Sequence, residues 1–115
     1  MELVKPARAR PARGEVWLIN LDPTIGSEIQ KIRPCVVISP PEINENLPTM
    51  IVAPLTSGSR PAPFRVATTF AGKSGLLLLE QVRAIDSRRL VRKVGQIDRL
   101  TLSAALTVMR SLFAE

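Results

Sequence analysis

At 115 residues, with 45% apolar and 23% charged side chains, the chain reads as one globular domain, large enough to bury a core without disulfides or a structural metal. It has no histidine, no tyrosine and a single cysteine, which excludes paired-imidazole ribonuclease chemistry, Ser-His and Cys-His nucleophiles, and histidine or cysteine-cluster metal sites. Sixteen Lys and Arg against ten Asp and Glu leave a formal charge of +6, which either points to a polyanion as the natural partner class or serves only solubility.

Residues 1–13 carry Pro6, Pro11 and the cations Lys5, Arg8, Arg10 and Arg13 without apolar periodicity. They are expected to form a flexible basic arm ahead of a domain over 14–115. The N-terminus has no apolar signal region. The apolar runs also fall short of the ~18 residues that cross a bilayer, so a cytoplasmic location with no membrane contact is expected. Glu15–Leu21 alternates Trp17, Ile19 and Leu21 with Val16 and Leu18, the pattern of a strand covered on both faces. Asp22-Pro23 ends it, because proline lacks an amide hydrogen and biases its predecessor away from helix. Gly26-Ser27 marks a loop tip, and Pro34 leads into a β-rich strand at Cys35–Ser39, with Arg33 at its mouth. Cys35, set in Cys-Val-Val-Ile, reads as a buried small hydrophobe.

Pro40-Pro41 closes that strand, and Glu42–Pro48 reads as a connection. Met50–Leu55 is a third strand, in which Pro54 predicts a sheet edge or bulge. A turn-rich link over 56–63 leads into a half-buried strand at Phe64–Ala67, and Gly72–Gly75 is the next turn. Leu76 to Ile85 reads as one long strand with Glu80 in apolar surroundings, and 88–94 as a short strand. Arg88, Arg89, Arg92 and Lys93 make a second basic cluster there. Asp98 fits a helix N-cap, and Leu102, Ala105, Leu106, Met109, Leu112 and Phe113 recur on one helix face. Short strands punctuated by turns and closed by one helix predict a mainly β (α+β) fold, a bent antiparallel barrel or sheet with a helix appended.

Taken in order, Arg13-Gly-Glu-Val-Trp-Leu18, Asp22-Pro-Thr, Gly26-Ser-Glu28, Arg33-Pro-Cys-Val-Val-Ile-Ser39, Pro54-Leu-Thr-Ser57 and Glu80-Gln-Val-Arg-Ala-Ile85 resemble the MazF/PemK toxins of bacterial toxin–antitoxin modules. The resemblance runs from Arg13 to the C-terminus. It implies a small SH3-like antiparallel barrel of the CcdB/PemK-like type with a C-terminal helix, and a homodimer. It further implies a sequence-specific, metal- and cofactor-independent endoribonuclease acting on single-stranded RNA such as mRNA. The products would carry a 2',3'-cyclic phosphate or 3'-phosphate and a 5'-hydroxyl. The implied inhibitor is an antitoxin whose acidic, disordered tail covers the RNA groove.

By motif match the family's catalytic arginine and threonine are Arg33 and Thr56. A guanidinium can stabilise the extra negative charge of a phosphorane without a metal, and a threonine hydroxyl can donate to a phosphoryl oxygen. Glu28, on the same loop, either orients Arg33, accepts the 2'-hydroxyl proton, or is a surface carboxylate. Some relatives use an Arg and an Asp two residues apart where this chain has Leu78 and Glu80, together with a histidine that is absent here. Glu80 is expected either to act as a base or to have a structural hydrogen-bonding role. RNA contacts are expected from Gly26, Ser27 and Lys31 in the first loop, Ser57 and Arg60 in the later one, and Arg83. Two alternatives share the fold. One is a CcdB-like gyrase-inhibiting toxin, whose aromatic-Gly-aliphatic C-terminus is replaced here by Leu112-Phe-Ala-Glu115. The other is an inactive relative that only binds RNA or antitoxin, against which the intact Arg33 and Thr56 stand.

Overall fold

The computed structural model describes residues 10–29 and 31–115. Seven strands, β1 (Glu15–Asn20), β2 (Ile32–Val37), β3 (Thr49–Thr56), β4 (Arg65–Phe70), β5 (Lys73–Leu78), β6 (Arg83–Asp86) and β7 (Leu90–Gln96), are joined by a helical turn α1 (Pro41–Asn44) and followed by helix α2 (Arg99–Leu112). Strand alternation splits the apolar residues between two cores. Ile19, Cys35, Val37, Met50 and Val52 pack together on one side, while Val16, Val36, Ala53, Leu77 and Leu79 pack on the other beneath α2. Each fully buried Val or Leu contributes roughly 1.5–3 kcal/mol of apolar transfer free energy.

All pairings are antiparallel, in the order β4-β5-β3-β2-β1-β7, with β6 also on β3. The sheet curls until its end strands meet. Phe70 of β4 lies so close to Gly95 of β7 that a Cβ there would stand 2.8 Å from the ring, and Gly95 sits beside a register shift in the β1–β7 ladder. Helix α2 closes the open side, laying Ala105, Leu102, Leu106 and Met109 on the second core. The product is a mainly β half-barrel with one C-terminal helix. Among the described residues no helix is long and apolar enough to cross a membrane.

Several local expectations are corrected. The run from Leu76 to Ile85 is two strands. Leu55 pairs with Leu77 and Thr56 with Leu76, so the same register would set Glu80 opposite Val52, yet Val52 pairs with Arg83. Three residues, Leu79–Gln81, are therefore looped out as a 3-10 turn, and Glu80 is exposed there instead of enclosed in an apolar strand. Pro54 is neither at an edge nor exposed. It is buried in β3 opposite Cys35, and on β3's other side it falls between the β6 partners of Thr49–Val52 and the β5 partners of Leu55 and Thr56. A residue with no amide hydrogen fits that gap. The stretch 42–48 begins with α1, whose buried Asn44 donates to the Ser39 carbonyl at 2.7 Å and accepts from Ser39 Oγ at 2.6 Å.

Of the arm expected over 1–13, residues 1–9 lie outside the described residues. The remainder is held by the fold: Pro11 is buried, Arg10 Nη1 donates to the Asn44 carbonyl at 2.8 Å, and Arg13 Nε donates to the Ile38 carbonyl at 2.8 Å. Asp98 takes the N-cap position of α2 with extended backbone, but its carboxylate accepts from the Thr101 hydroxyl rather than capping an amide. The helix ends at Leu112, which leaves Phe113 76% exposed beyond it.

Candidate nucleic-acid interface

At one end of the half-barrel, the start of β2, the end of β3 and the β4–β5 turn surround an open groove of about 390 Å³. Arg33 is the second residue of β2, within the strand rather than at its mouth, and pairs with Ile19. Thr56 is the last residue of β3. Continuing the ladder two residues past the Cys35–Pro54 pair sets Arg33 opposite Thr56, and both side chains line the groove. Lys73 and Arg92 bring two further cations, Ser57 and Ser74 two hydroxyls, and Phe70 an aromatic ring, while no carboxylate of the described residues lines it. Without a neutralising carboxylate, such a concavity attracts an anionic chain.

Thr56 is placed with little freedom. Its Oγ1 accepts from the Gly58 amide at 3.3 Å, which orients the hydroxyl and leaves its hydrogen for an outside acceptor. Behind it, β5 approaches through Gly75, where a Cβ would stand 3.0 Å from the Thr56 carbonyl oxygen.

The other residues singled out from sequence fall elsewhere. Glu28, Glu80 and Arg83 line a second cavity of about 480 Å³ beneath the β1–β2 loop. Glu28 Oε1 accepts from the Ile25 amide at 2.7 Å, a bond internal to its loop. Glu80 accepts from Arg65 Nε at 3.0 Å, and Arg83 Nη1 donates to the Leu21 carbonyl at 3.3 Å. Gly26, at φ +61°, and Ser27 form the exposed loop tip, while Lys31, at φ +69°, closes the loop base by donating its amide to Asp22 Oδ1 at 2.9 Å. Arg60 is exposed on the β3–β4 loop. Of the named residues, the structure thus gathers Arg33, Thr56 and Ser57 in one groove and separates both carboxylates from it.

Two groove cations, Lys73 and Arg92, were absent from the sequence-derived set. Arg92 belongs to the second basic cluster and pairs with Leu18, which pairs in turn with Pro34 beside Arg33. Arg89 of that cluster instead donates Nη1 to the Asn20 carbonyl at 3.0 Å and to the Asp22 carbonyl, fastening the β1–β2 loop. Outside the groove, Trp17 Nε1 donates to Glu15 Oε1 at 3.0 Å and Lys93 Nζ reaches Glu15 Oε2 at 2.9 Å. Cys35 is fully buried, and burial pushes its thiol up to about 12, in line with its reading as an inert small hydrophobe.

Fold and groove together define a CcdB/PemK-like half-barrel protein with a face suited to a polyanion. The chain belongs to the PemK-like, MazF-like toxins of type II toxin-antitoxin systems, whose family model matches residues 12–113. It is 38% identical over 81 residues to endoribonuclease PemK of Escherichia coli, covering 66% of this chain and 61% of that protein. It is also 35% identical over 92 residues to endoribonuclease EndoA of Bacillus subtilis strain 168, covering 75% and 79%. The crystal structure of MazF from Deinococcus radiodurans superposes with a TM-score of 0.81 at 28% identity, covering 91% of this chain and 97% of that one. A MazE-MazF crystal structure from the same organism gives 0.74 at 26% identity, covering 93% and 98%.

Proposed function

We propose that this chain cleaves single-stranded RNA with Arg33 and Thr56, using the adjacent ribose 2'-hydroxyl as nucleophile and no metal. The observation that carries the reading is the meeting of those two side chains in a cationic groove free of described carboxylates. The 2'-oxygen forms a bond to phosphorus as the bond to the 5'-oxygen breaks, leaving a 2',3'-cyclic phosphate and a 5'-hydroxyl. Charge builds on the non-bridging oxygens between those events. Arg33 neutralises it with two hydrogen bonds, and Thr56 donates a third. With Glu28 and Glu80 engaged elsewhere, the 2'-hydroxyl proton leaves to water, and the departing 5'-oxygen takes one from water. Lys73 and Arg92 hold flanking phosphates, and Phe70 offers a face for a base. Among the described residues there is no group of three or more His, Cys, Asp or Glu side chains that could hold a metal.

The experiment is incubation of the purified protein with a defined messenger transcript in excess EDTA, with both new ends mapped. Cyclic phosphate and 5'-hydroxyl ends are expected, and a single 2'-deoxyribose at the cut position should block cleavage there. A requirement for added Mg²⁺, or 5'-phosphate ends, overturns the reading.

The same groove suits the acidic, disordered tail of a cognate antitoxin, which would cover Arg33 and so exclude RNA. The relative from Deinococcus radiodurans has been crystallised as a MazE-MazF complex. A homodimer is part of this reading. Sedimentation of the free protein tests the dimer, and competition between RNA and an acidic peptide tests the shared groove.

A further inference from the structure

Glu80 and Gln81 are consecutive residues of the looped-out 3-10 turn, and each is fastened to a different loop. Glu80 Oε2 accepts from Arg65 Nε at 3.0 Å and from Nη2 at 2.5 Å. The same guanidinium donates Nη1 to the Arg60 carbonyl at 2.9 Å, and lies over the Phe64 ring with 5.8 Å to its centroid. One carboxylate thereby grips the returning arm of the β3–β4 loop, residues 57–64. Gln81 Oε1 accepts from the Ile29 amide at 3.0 Å, gripping the β1–β2 loop, residues 21–31. Those two loops leave from Thr56 and lead into Arg33.

We propose that Glu80 and Gln81 are a positioning pair that sets the spacing of the two loops around the Arg33–Thr56 groove, with Arg65 as the fork through which Glu80 acts. The inference rests on the function proposed above and deepens it, since it assigns Glu80 a role other than proton transfer. Three features support it. The register slip that extrudes the turn is what brings both side chains out of the sheet. The Arg65 and Glu80 side chains, at 20% and 29% exposed, form a partly covered surface pair that is fixed by two hydrogen bonds to one carboxylate oxygen. Arg65 spends all three of its nitrogens on fixed acceptors, a planar geometry that an ammonium cannot copy.

The experiment compares Arg65→Gln, Glu80→Gln, the Arg65→Gln/Glu80→Gln double variant and the charge-exchanged Arg65→Glu/Glu80→Arg protein. Steady-state cleavage of one messenger transcript is measured across pH, alongside thermal unfolding. Each single variant is expected to raise KM about tenfold, the scale of coupling between contacting residues, with kcat within about twofold and the pH–rate profile unmoved. The double variant should be no worse than either single one, and the exchanged pair should recover part of the lost KM. Where Arg65→Gln does not fold, Arg65→Lys, which keeps the charge and breaks the fork, is expected to show the same KM increase in part. Two results overturn the proposal: wild-type kinetics in both single variants, or loss of kcat and of the acid limb in Glu80→Gln while Arg65→Gln turns over normally. Thr56→Ala, run beside them, separates the two readings. If it cuts at the wild-type rate, the proposed chemistry fails. If it is inactive while Arg65→Gln and Glu80→Gln are normal, only the positioning pair fails.

Discussion

Gly75 and Thr56 are in near contact across the β3–β5 ladder: a Cβ added at Gly75 would meet the Thr56 carbonyl oxygen at 3.0 Å. The obstacle is backbone rather than the flexible end of a side chain, so Gly75→Ala must push β5 and the end of β3 apart. Misplacing a reacting group by a fraction of an ångström to an ångström is costly, and kcat is expected to fall about tenfold or more. Gly72→Ala is the contrast. Gly72 has φ +78° with nothing within 4 Å of its added Cβ, so that change should cost about 1 kcal/mol of stability and leave kcat intact. Turnover and melting curves of the two variants, measured side by side, check the difference. Equal kcat in both would mean that Thr56 does not need its present position.

Arg33→Ala and Thr56→Ala should each lower kcat by about 10²–10³, the usual effect of deleting one donor to a developing anion. Arg33 is the second residue of β2 and Thr56 the last of β3, and both side chains line the groove instead of the core, so their melting profiles should stay near that of the parent. Arg33→Lys should restore little, because one ammonium cannot donate as a planar fork does. Single-turnover cleavage with saturating enzyme is the measurement. Near-parental rates in a folded Arg33→Ala protein would remove Arg33 from the chemistry.

Lys73→Ala and Arg92→Ala should weaken binding of an uncleavable 2'-deoxy-substituted strand. Each should reduce the slope of log Kd against log salt by about 0.7, the single-strand value for one neutralised phosphate. Arg110→Ala, on the last turn of α2, serves as the control and should leave the slope unchanged. An unchanged slope in both groove variants would show that the phosphates run elsewhere.

The pH dependence of stability should carry a signature of Glu15. Burial pushes its carboxyl up, but the Ala12 amide, the Trp17 indole and the Lys93 ammonium together outweigh that and hold it below the ordinary carboxylate range. A group whose folded value is depressed binds fewer protons in the folded chain than in the unfolded one. Its contribution is complete above the unfolded value of about 4.3 and is lost as pH falls through the folded value. Glu15→Gln should therefore be less stable than the parent by a constant amount at neutral pH, and the gap should close below about pH 4. Urea midpoints from pH 7 to pH 3 check this, and a gap independent of pH would contradict it.

Much of the fold was legible because its signals are local. Alternation placed β1 with Trp17, Ile19 and Leu21 on one face and Val16 on the other, and those residues indeed divide between the two cores. Gly14 and Gly72 marked strand boundaries, whereas Pro34, Pro54, Gly75 and Gly95 proved to lie inside strands, and the spacing of Leu102, Ala105, Leu106 and Met109 marked the face of α2 that packs. The ordered motifs singled out Arg33 and Thr56, which the fold sets on one groove. Other features depended on long-range pairing, which no local pattern encodes. Because β3 takes β5 and β6 in registers offset by three residues, Glu80 is extruded toward Arg65 and lines the cavity away from Arg33. Lys73 and Arg92 are charges among many in the sequence, and they join Arg33 only because the curled sheet brings β7 and the β4–β5 turn to the same end. Pro54 reads locally as a strand breaker, yet the change of partner along β3 lets it sit in a central strand.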